Sequence, residues 1–164
     1  MVRSKLVWLK KGESALTTMA GITKFLDQKT LAVVGVSRSG KKFSNSLYKT
    51  LKAKGYRLFA VNPNIDSIDG ESCYGNIQSL PEQVYGVVIV VPPNQTEKVV
   101  KDAVTAGINH IWIQQGAETP VAIDFCKKNG INLIHNHCIL MFAEPSLPHK
   151  CHRYVWKALG KLPK

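Results

Sequence analysis

Three observations predict an α/β fold, a Rossmann-like doubly wound parallel sheet of five strands with a C-terminal helix. Short runs of valine, isoleucine and leucine recur along the chain, amphipathic stretches of helix length separate them, and the first three runs stop at a glycine, asparagine or proline. Apolar runs without polar alternation suit strands covered on both faces by helices, which is the environment of a parallel sheet. Right-handed crossovers then wind the chain to both sides, and the order expected for the five strands is 3-2-1-4-5.

The elements follow in sequence. Met19 to Leu26 reads as an entry helix, and Leu31 to Val36 as the first strand. Lys42 to Lys54 places Phe43, Leu47 and Leu51 at helical spacing, with Gly55 as its cap. Arg57 to Val61 is the second strand, stopped by Asn62-Pro63. Residues 64–80 are polar and irregular and read as a loop standing in for a helix. Gly86 to Val91 is the third strand, ended by Pro92-Pro93, and Asn94 or Thr96 should cap a helix running to Ala106. His110 to Ile113 is the fourth strand, Pro120 to Asn129 a helix, and Asn132 to Ile134 the fifth strand. A last helix fits His149 to Leu159, with Trp156 and Leu159 expected to be buried. The expected organisation is an N-terminal extension over 1–18, a Rossmann-like domain over 19–148 and a basic C-terminal helix over 149–164.

The net charge of +11 is carried by the two ends. Residues 1–12 hold four basic side chains and residues 149–164 hold five, with no acid in either, whereas the body between them is nearly balanced. Basic ends attract phosphates, acidic surfaces or nucleic acid, or simply face water. Nucleic acid is disfavoured, because Tyr154 and Trp156 fit a helix packed on the body, or on the twin subunit of a homodimer, as well as they fit a base-stacking platform. No apolar run reaches the ~18–20 residues of a membrane span. The N-terminus lacks the apolar core of a signal peptide, and Cys73, Cys126, Cys138 and Cys151 form no CxxC, so a cytoplasmic protein with reduced thiols is expected.

In a doubly wound sheet the ligand lies outside the carboxyl ends of the strands, so the residues after each strand carry the functional reading. After the first comes Gly35-Val36-Ser37-Arg38-Ser39-Gly40-Lys41-Lys42. Ser37 stands where the dinucleotide fingerprint needs its middle glycine, Lys42 where a P-loop needs a hydroxyl, and Ser39 where a nucleophile elbow needs its last glycine. What remains is a glycine- and serine-bearing turn with three cations at a helix N-terminus, an anion site suited to more than one phosphate. After the second strand, Val61-Asn62-Pro63 offers no acid to hold the ribose of NAD. After the third, Val91-Pro92-Pro93 forms an apolar wall for an adenine or a pantetheine arm. After the fourth, Gln114 and Gly116 offer an amide and a closely approachable backbone.

The ordered set VVGVS, GYRLFAVNP, IVVPP and GINHIWIQQG, followed by a strand leading to Cys138, resembles the CoA-binding domain family, stand-alone relatives of the N-terminal domain of the succinyl-CoA synthetase alpha subunit. The resemblance spans residues 22–143. It implies that coenzyme A or an acyl-CoA binds across the strand ends. Ser37 to Gly40 with Lys42 would take the phosphates, and Val61, Asn62 and Pro63 the adenosine side. Val91 to Pro93 would hold nucleotide and arm, and Gln114 and Gly116 the pantetheine end. The synthetase's phosphohistidine belongs to another domain, so the resemblance implies binding without catalysis. The alternative is a redox sensor binding NAD(H) or another nucleotide, which the missing acid disfavours.

His135-Asn136-His137-Cys138 and His149-Lys150-Cys151-His152 would supply zinc ligands only if the two segments met, and their spacing matches no standard zinc module, so no metal is expected. His135 and His137 should point to one side if the fifth strand continues through them. Cys138 stands on the ligand edge, either facing a CoA thiol or as a small buried residue.

Overall fold

The computed structural model describes residues 17–143 and 147–163, without the side chains of Leu147, Pro148, His149 and His152. The expected extension over 1–18 therefore lies, except for Thr17 and Thr18, outside the described residues, as do the imidazoles of His149 and His152. The chain runs α1 (Met19–Asp27), β1 (Thr30–Val34), α2 (Phe43–Ala53), β2 (Arg57–Val61), β3 (Ser67–Ile68), β4 (Glu71–Tyr74), β5 (Gly86–Ile89), α3 (Pro93–Thr105), β6 (His110–Gln114), α4 (Pro120–Lys128), β7 (Asn132–His137) and α5 (Leu147–Ala158). All five expected strands are present, as β1, β2, β5, β6 and β7. No described helix is long and apolar enough to cross a membrane.

The sheet has seven strands, not five, in the order β3-β4-β2-β1-β5-β6-β7. Every pairing is parallel except β3 with β4. The expected order is thereby corrected: counting only the five long strands, it is 2-1-3-4-5. The cause lies in the segment read as a loop. Asp69 and Gly70 take left-handed backbone, φ 50° and 81°, and turn β3 into β4, as an Asp-Gly pair favours in a two-residue hairpin. Cys73 and Tyr74 of β4 then pair with Ala60 and Val61, so the outer edge of β2 is occupied. The next long strand, β5, must take the free edge of β1 instead. Tyr48 on α2 donates to Glu71 Oε2 at 3.2 Å, and Lys52 pairs with the same carboxylate, fixing the hairpin to the helix.

Helices cover both faces. Ile22 and Phe25 of α1, Leu47, Tyr48 and Leu51 of α2, and Ile139 to Met141 pack on one side with Leu31, Val33, Ala60, Val88 and Trp112. Val100 and Ala103 of α3 and Ala122 and Cys126 of α4 pack on the other, with Ala32, Val87, Ile89, Ile111 and Ile113. Helix starts follow local chemistry: Thr18 Oγ1 accepts from Gly21 N, and Thr119 Oγ1 from Ala122 N. The start of α3 differs from expectation. Pro92 is its N-cap and Pro93 its first residue, because a proline at that position loses no helical hydrogen bond. Thr96 is buried, and its hydroxyl donates to Ala117 O at 2.6 Å.

The C-terminal helix is present, but Leu159 is 61% exposed, against the expectation of burial. Trp156 packs edge-on against His137, and the Arg153 guanidinium lies over Phe142. That inward face leaves Tyr154 and Val155 in solvent, and Leu159 follows the last helical residue, Ala158.

Gly86 provides a test of the packing. A Cβ there would stand 2.7 Å from Phe25 Cε2 and 2.9 Å from His110 O, so α1 sits on β5 only because the side chain is missing. Gly86→Ala is expected to cost about 1–3 kcal/mol, read as a fall of several degrees in Tm. An unchanged Tm would show that Phe25 yields freely.

Candidate functional site

The loops after β1 and β5 face each other where the winding reverses. From β1 the chain crosses by α2 on one face of the sheet, and from β5 by α3 on the other, which opens a crevice at the strand ends. Gly35 stands at its floor with φ 108°. Its N–H donates to Val61 O at 3.1 Å, and Val90 N beside it donates to Val34 O at 2.8 Å. A Cβ on Gly35 would lie 2.5 Å from Val90 O, so only glycine allows β1 and β5 to leave the sheet this close together.

From Gly35 the turn is held by two amide side chains. Asn45, on the buried face of α2 and fully inaccessible, accepts from Ser37 N at 3.2 Å and donates to Ser37 O at 2.8 Å. Asn62 donates to Val36 O at 2.6 Å and accepts from Asn64 N at 2.8 Å, so it ties the turn after β1 to the turn after β2. Arg38 Nη2 adds a third tie, donating to Asn64 O at 2.6 Å. Ser37 and Ser39 bring their hydroxyls within 3.2 Å of each other, and Gly40 N donates to Ser37 O. Lys42 is the N-cap of α2 with no side-chain hydrogen bond, so the first amides of that helix lack the usual capping oxygen. Arg38, Lys41 and Lys42 are exposed and have no acidic partner among the described residues.

The residues singled out by sequence therefore fall at the ends of four adjacent strands, β2, β1, β5 and β6. Their roles divide. Val36, Val61 and Val91 are core side chains, open to a ligand only through their backbones. Pro63, Pro92 and Pro93 are exposed at the rim. Gln114 is buried, and its Oε1 accepts from Ile139 N at 3.2 Å; Gly116 N donates to Glu118 Oε2 at 2.8 Å. Asn45 escaped the sequence reading, because an asparagine inside a helix reads as a solvent position. Its phase was the available signal, since Ser44, Leu47, Tyr48 and Leu51 share its buried side.

The far end of the edge carries the histidines. A bulge in β7 pairs Trp112 with Ile134 but Gln114 with His137, with Asn136 at φ 60°. The strand thus does not run regularly through His135 and His137, yet both imidazoles line one cleft. Burial lowers the basicity of both below the ordinary histidine value, and for His137 the neighbouring His135 lowers it further. No group of three metal-ligating side chains converges among the described residues. Cys138 is buried.

A model of the CoA binding domain matches residues 29–144. The chain belongs to this family. A conserved hypothetical protein from Pyrococcus furiosus has a similar structure, with a TM-score of 0.66 and 38% identity, over 68% of this chain and 97% of that one. The uncharacterized protein YneT of Bacillus subtilis is 26% identical over 111 residues, 68% of this chain and 82% of YneT. Acetate–CoA ligase [ADP-forming] I of Archaeoglobus fulgidus is 27% identical over 123 residues, 69% of this chain. The match spans only 18% of that ligase's length. CoA binding domains thus occur in small proteins and within much larger ligases, and this chain matches one segment of the latter.

The two-sided grip of Asn45 on Ser37 yields a quantitative expectation. Asn45→Ala leaves the Ser37 N–H unpaired in a part-buried turn and its C=O with the Gly40 N–H as remaining donor, and should destabilise by about 1–3 kcal/mol, measured by urea unfolding. A loss below about 0.5 kcal/mol, the scale of a neutral surface change, would mean that water replaces the amide.

Proposed function

We propose that this domain binds coenzyme A, free or acylated, across the carboxyl edge of its sheet and performs no chemistry of its own. The observation that carries the reading is the switch-point turn. A helix N-terminus without a capping side chain, a turn held by Asn45 and Asn62, and the cations Arg38, Lys41 and Lys42, which have no acidic partner among the described residues, converge on one crevice. Such a place favours phosphates, through oriented N–H groups and the helix dipole as well as through charge. The adenosine would rest against Asn62 and Pro63, and the arm would pass Pro92 and Pro93 towards Gln114 and Gly116. Asn62 keeps one amide hydrogen for a ligand, the other being committed to Val36 O. Membership of the CoA binding domain family supports the ligand's identity. The ligases that share this segment support it too, but their reaction is not carried over from a match to a fraction of their length.

The competing ligand is NAD(H). It is disfavoured because the end of β2 carries Asn62, occupied as a clamp, where a ribose-binding carboxylate would stand.

Calorimetric titration with CoA, NADH and ATP decides between these readings. CoA should bind most tightly, and at ~100 times its Kd should add ~2.7 kcal/mol of stability. Lys42→Glu and Arg38→Glu should each weaken CoA by at least ~1.5 kcal/mol, the scale of a lost charge-assisted hydrogen bond. Equal or tighter binding of NADH, or unchanged CoA affinity in both variants, would contradict the assignment.

A further inference from the structure

The outer face of α5 is apolar with a basic border. Cys151, Tyr154, Val155 and Ala158 follow the i, i+3, i+4, i+7 spacing of one helical stripe, turned away from Trp156, which packs on His137. All four are exposed. Among the described residues, three of the five exposed large hydrophobic side chains stand on this one stretch, Tyr154, Val155 and Leu159. It is therefore a patch, unlike the single apolar residues normally scattered over a surface. Lys150 and Lys157, two turns apart, run along one border of the stripe, exposed and without an ion-pair partner among the described residues.

The other end of the chain enters the fold at the same place. Met19 lines a groove with Lys150, Arg153, Tyr154 and Lys157, and Thr17 lines a cleft with Trp156 and Lys161. Residues 1–12 carry Arg3, Lys5, Lys10 and Lys11, no acid, and the apolar run Leu6-Val7-Trp8-Leu9. The six residues from Lys11 to Thr17 reach at most ~20 Å when fully extended. The two basic stretches, at opposite ends of the sequence, are thus attached to the same side of the molecule.

Charge and side-chain type select the partner. A second copy docked symmetrically through this face would set Lys150 and Lys157 close to their own duplicates, which is repulsive. The face therefore fits an anionic surface. A nucleic acid would need aromatic platforms for its bases, and the stripe offers one ring, Tyr154, beside aliphatic side chains that cannot stack. Aliphatic and tyrosyl side chains bordered by lysines suit a helix lying in the headgroup layer of an anionic bilayer.

We propose that α5 docks on the surface of an anionic lipid bilayer. Tyr154, Val155 and Leu159 enter the headgroup layer, and Lys150 and Lys157, joined by the basic residues of 1–12, meet the lipid phosphates. The contact is peripheral, since no described helix is long and apolar enough to cross the bilayer. It is independent of the ligand held at the strand ends.

Flotation of the whole protein with lipid vesicles tests this. Vesicles of phosphatidylcholine with roughly a third phosphatidylglycerol should bind it at least about tenfold more strongly than pure phosphatidylcholine at ~0.1 M salt. Lys150→Glu/Lys157→Glu and Tyr154→Ser/Leu159→Ser should each weaken binding to the mixed vesicles by about tenfold or more. Equal binding to both vesicle types overturns the proposal, and that comparison uses the unaltered protein and needs no variant to fold. A serine variant that binds like the unaltered protein also overturns it, leaving only diffuse charge adsorption. A single-stranded oligonucleotide that binds more tightly than the mixed vesicles at the same salt, and loses its affinity in both variants, would reassign the face to nucleic acid. A dimer in sedimentation equilibrium that the serine variant dissociates would reassign it to a second copy.

Discussion

Two parallel strands that leave a sheet side by side must separate their backbones within one or two residues, and here they do so at Gly35. Its missing side chain lets the chain turn against Val90 O, at a distance where any Cβ would collide. Because β1 exits there towards one face and β5 towards the other, the crevice, the start of α2 and the approach of the β2 turn all follow from that contact. A bulkier residue would push the β1 turn outwards, and Asn45 and Asn62 would no longer meet the backbone they hold.

The strand-end turns are held by the buried amides Asn45 and Gln114, the half-buried Asn62 and the buried hydroxyl of Thr96. Asn45 satisfies both backbone groups of Ser37, Asn62 joins the turns after β1 and β2, Thr96 joins α3 to the loop after β6, and Gln114 joins β6 to the chain after β7. Each uses a neutral group to pair backbone that the sheet and helices leave unpaired, which avoids the cost of burying charge. Lys41 and Lys42 are left on the outside of this frame, and Arg38 joins it by one hydrogen bond, to Asn64 O. Arg38, Lys41 and Lys42 are exposed, so they are available to phosphates and their field is open to screening by salt.

Much of this was legible in the sequence. The five long strands declared themselves because burial on both faces demands unbroken apolar runs, and their turn residues marked the edge where a ligand would lie. The strand order was not legible, since it depends on which edge of β2 remains free. That was decided by Asp69-Gly70 and the short β4, whose sequence looks polar because the hairpin lies at the margin of the sheet. Asn45 was hidden for a related reason: its polarity serves the backbone of a turn eight residues away, and only its phase on α2 betrays it. The bulge at Asn136 also left no clear sign, since asparagine in left-handed backbone is common in turns and here interrupts a strand. The C-terminal helix was read correctly in kind and in the packing of Trp156, and wrongly in the burial of Leu159, because the face that meets His137 and Phe142 carries Trp156 and Arg153.

The central claim is that coenzyme A lies along one edge of the sheet, with its phosphates at the start of α2. Backbone hydrogen exchange, followed residue by residue with and without CoA, tests it most directly. The account predicts slowed exchange at the amides of Arg38 to Ser44, with weaker protection at Asn64 and around Gln115 and Gly116, and little change at the opposite ends of the strands. Protection confined to the opposite edge, or to the outer faces of α3 and α4 with the α2 start unaffected, would contradict it.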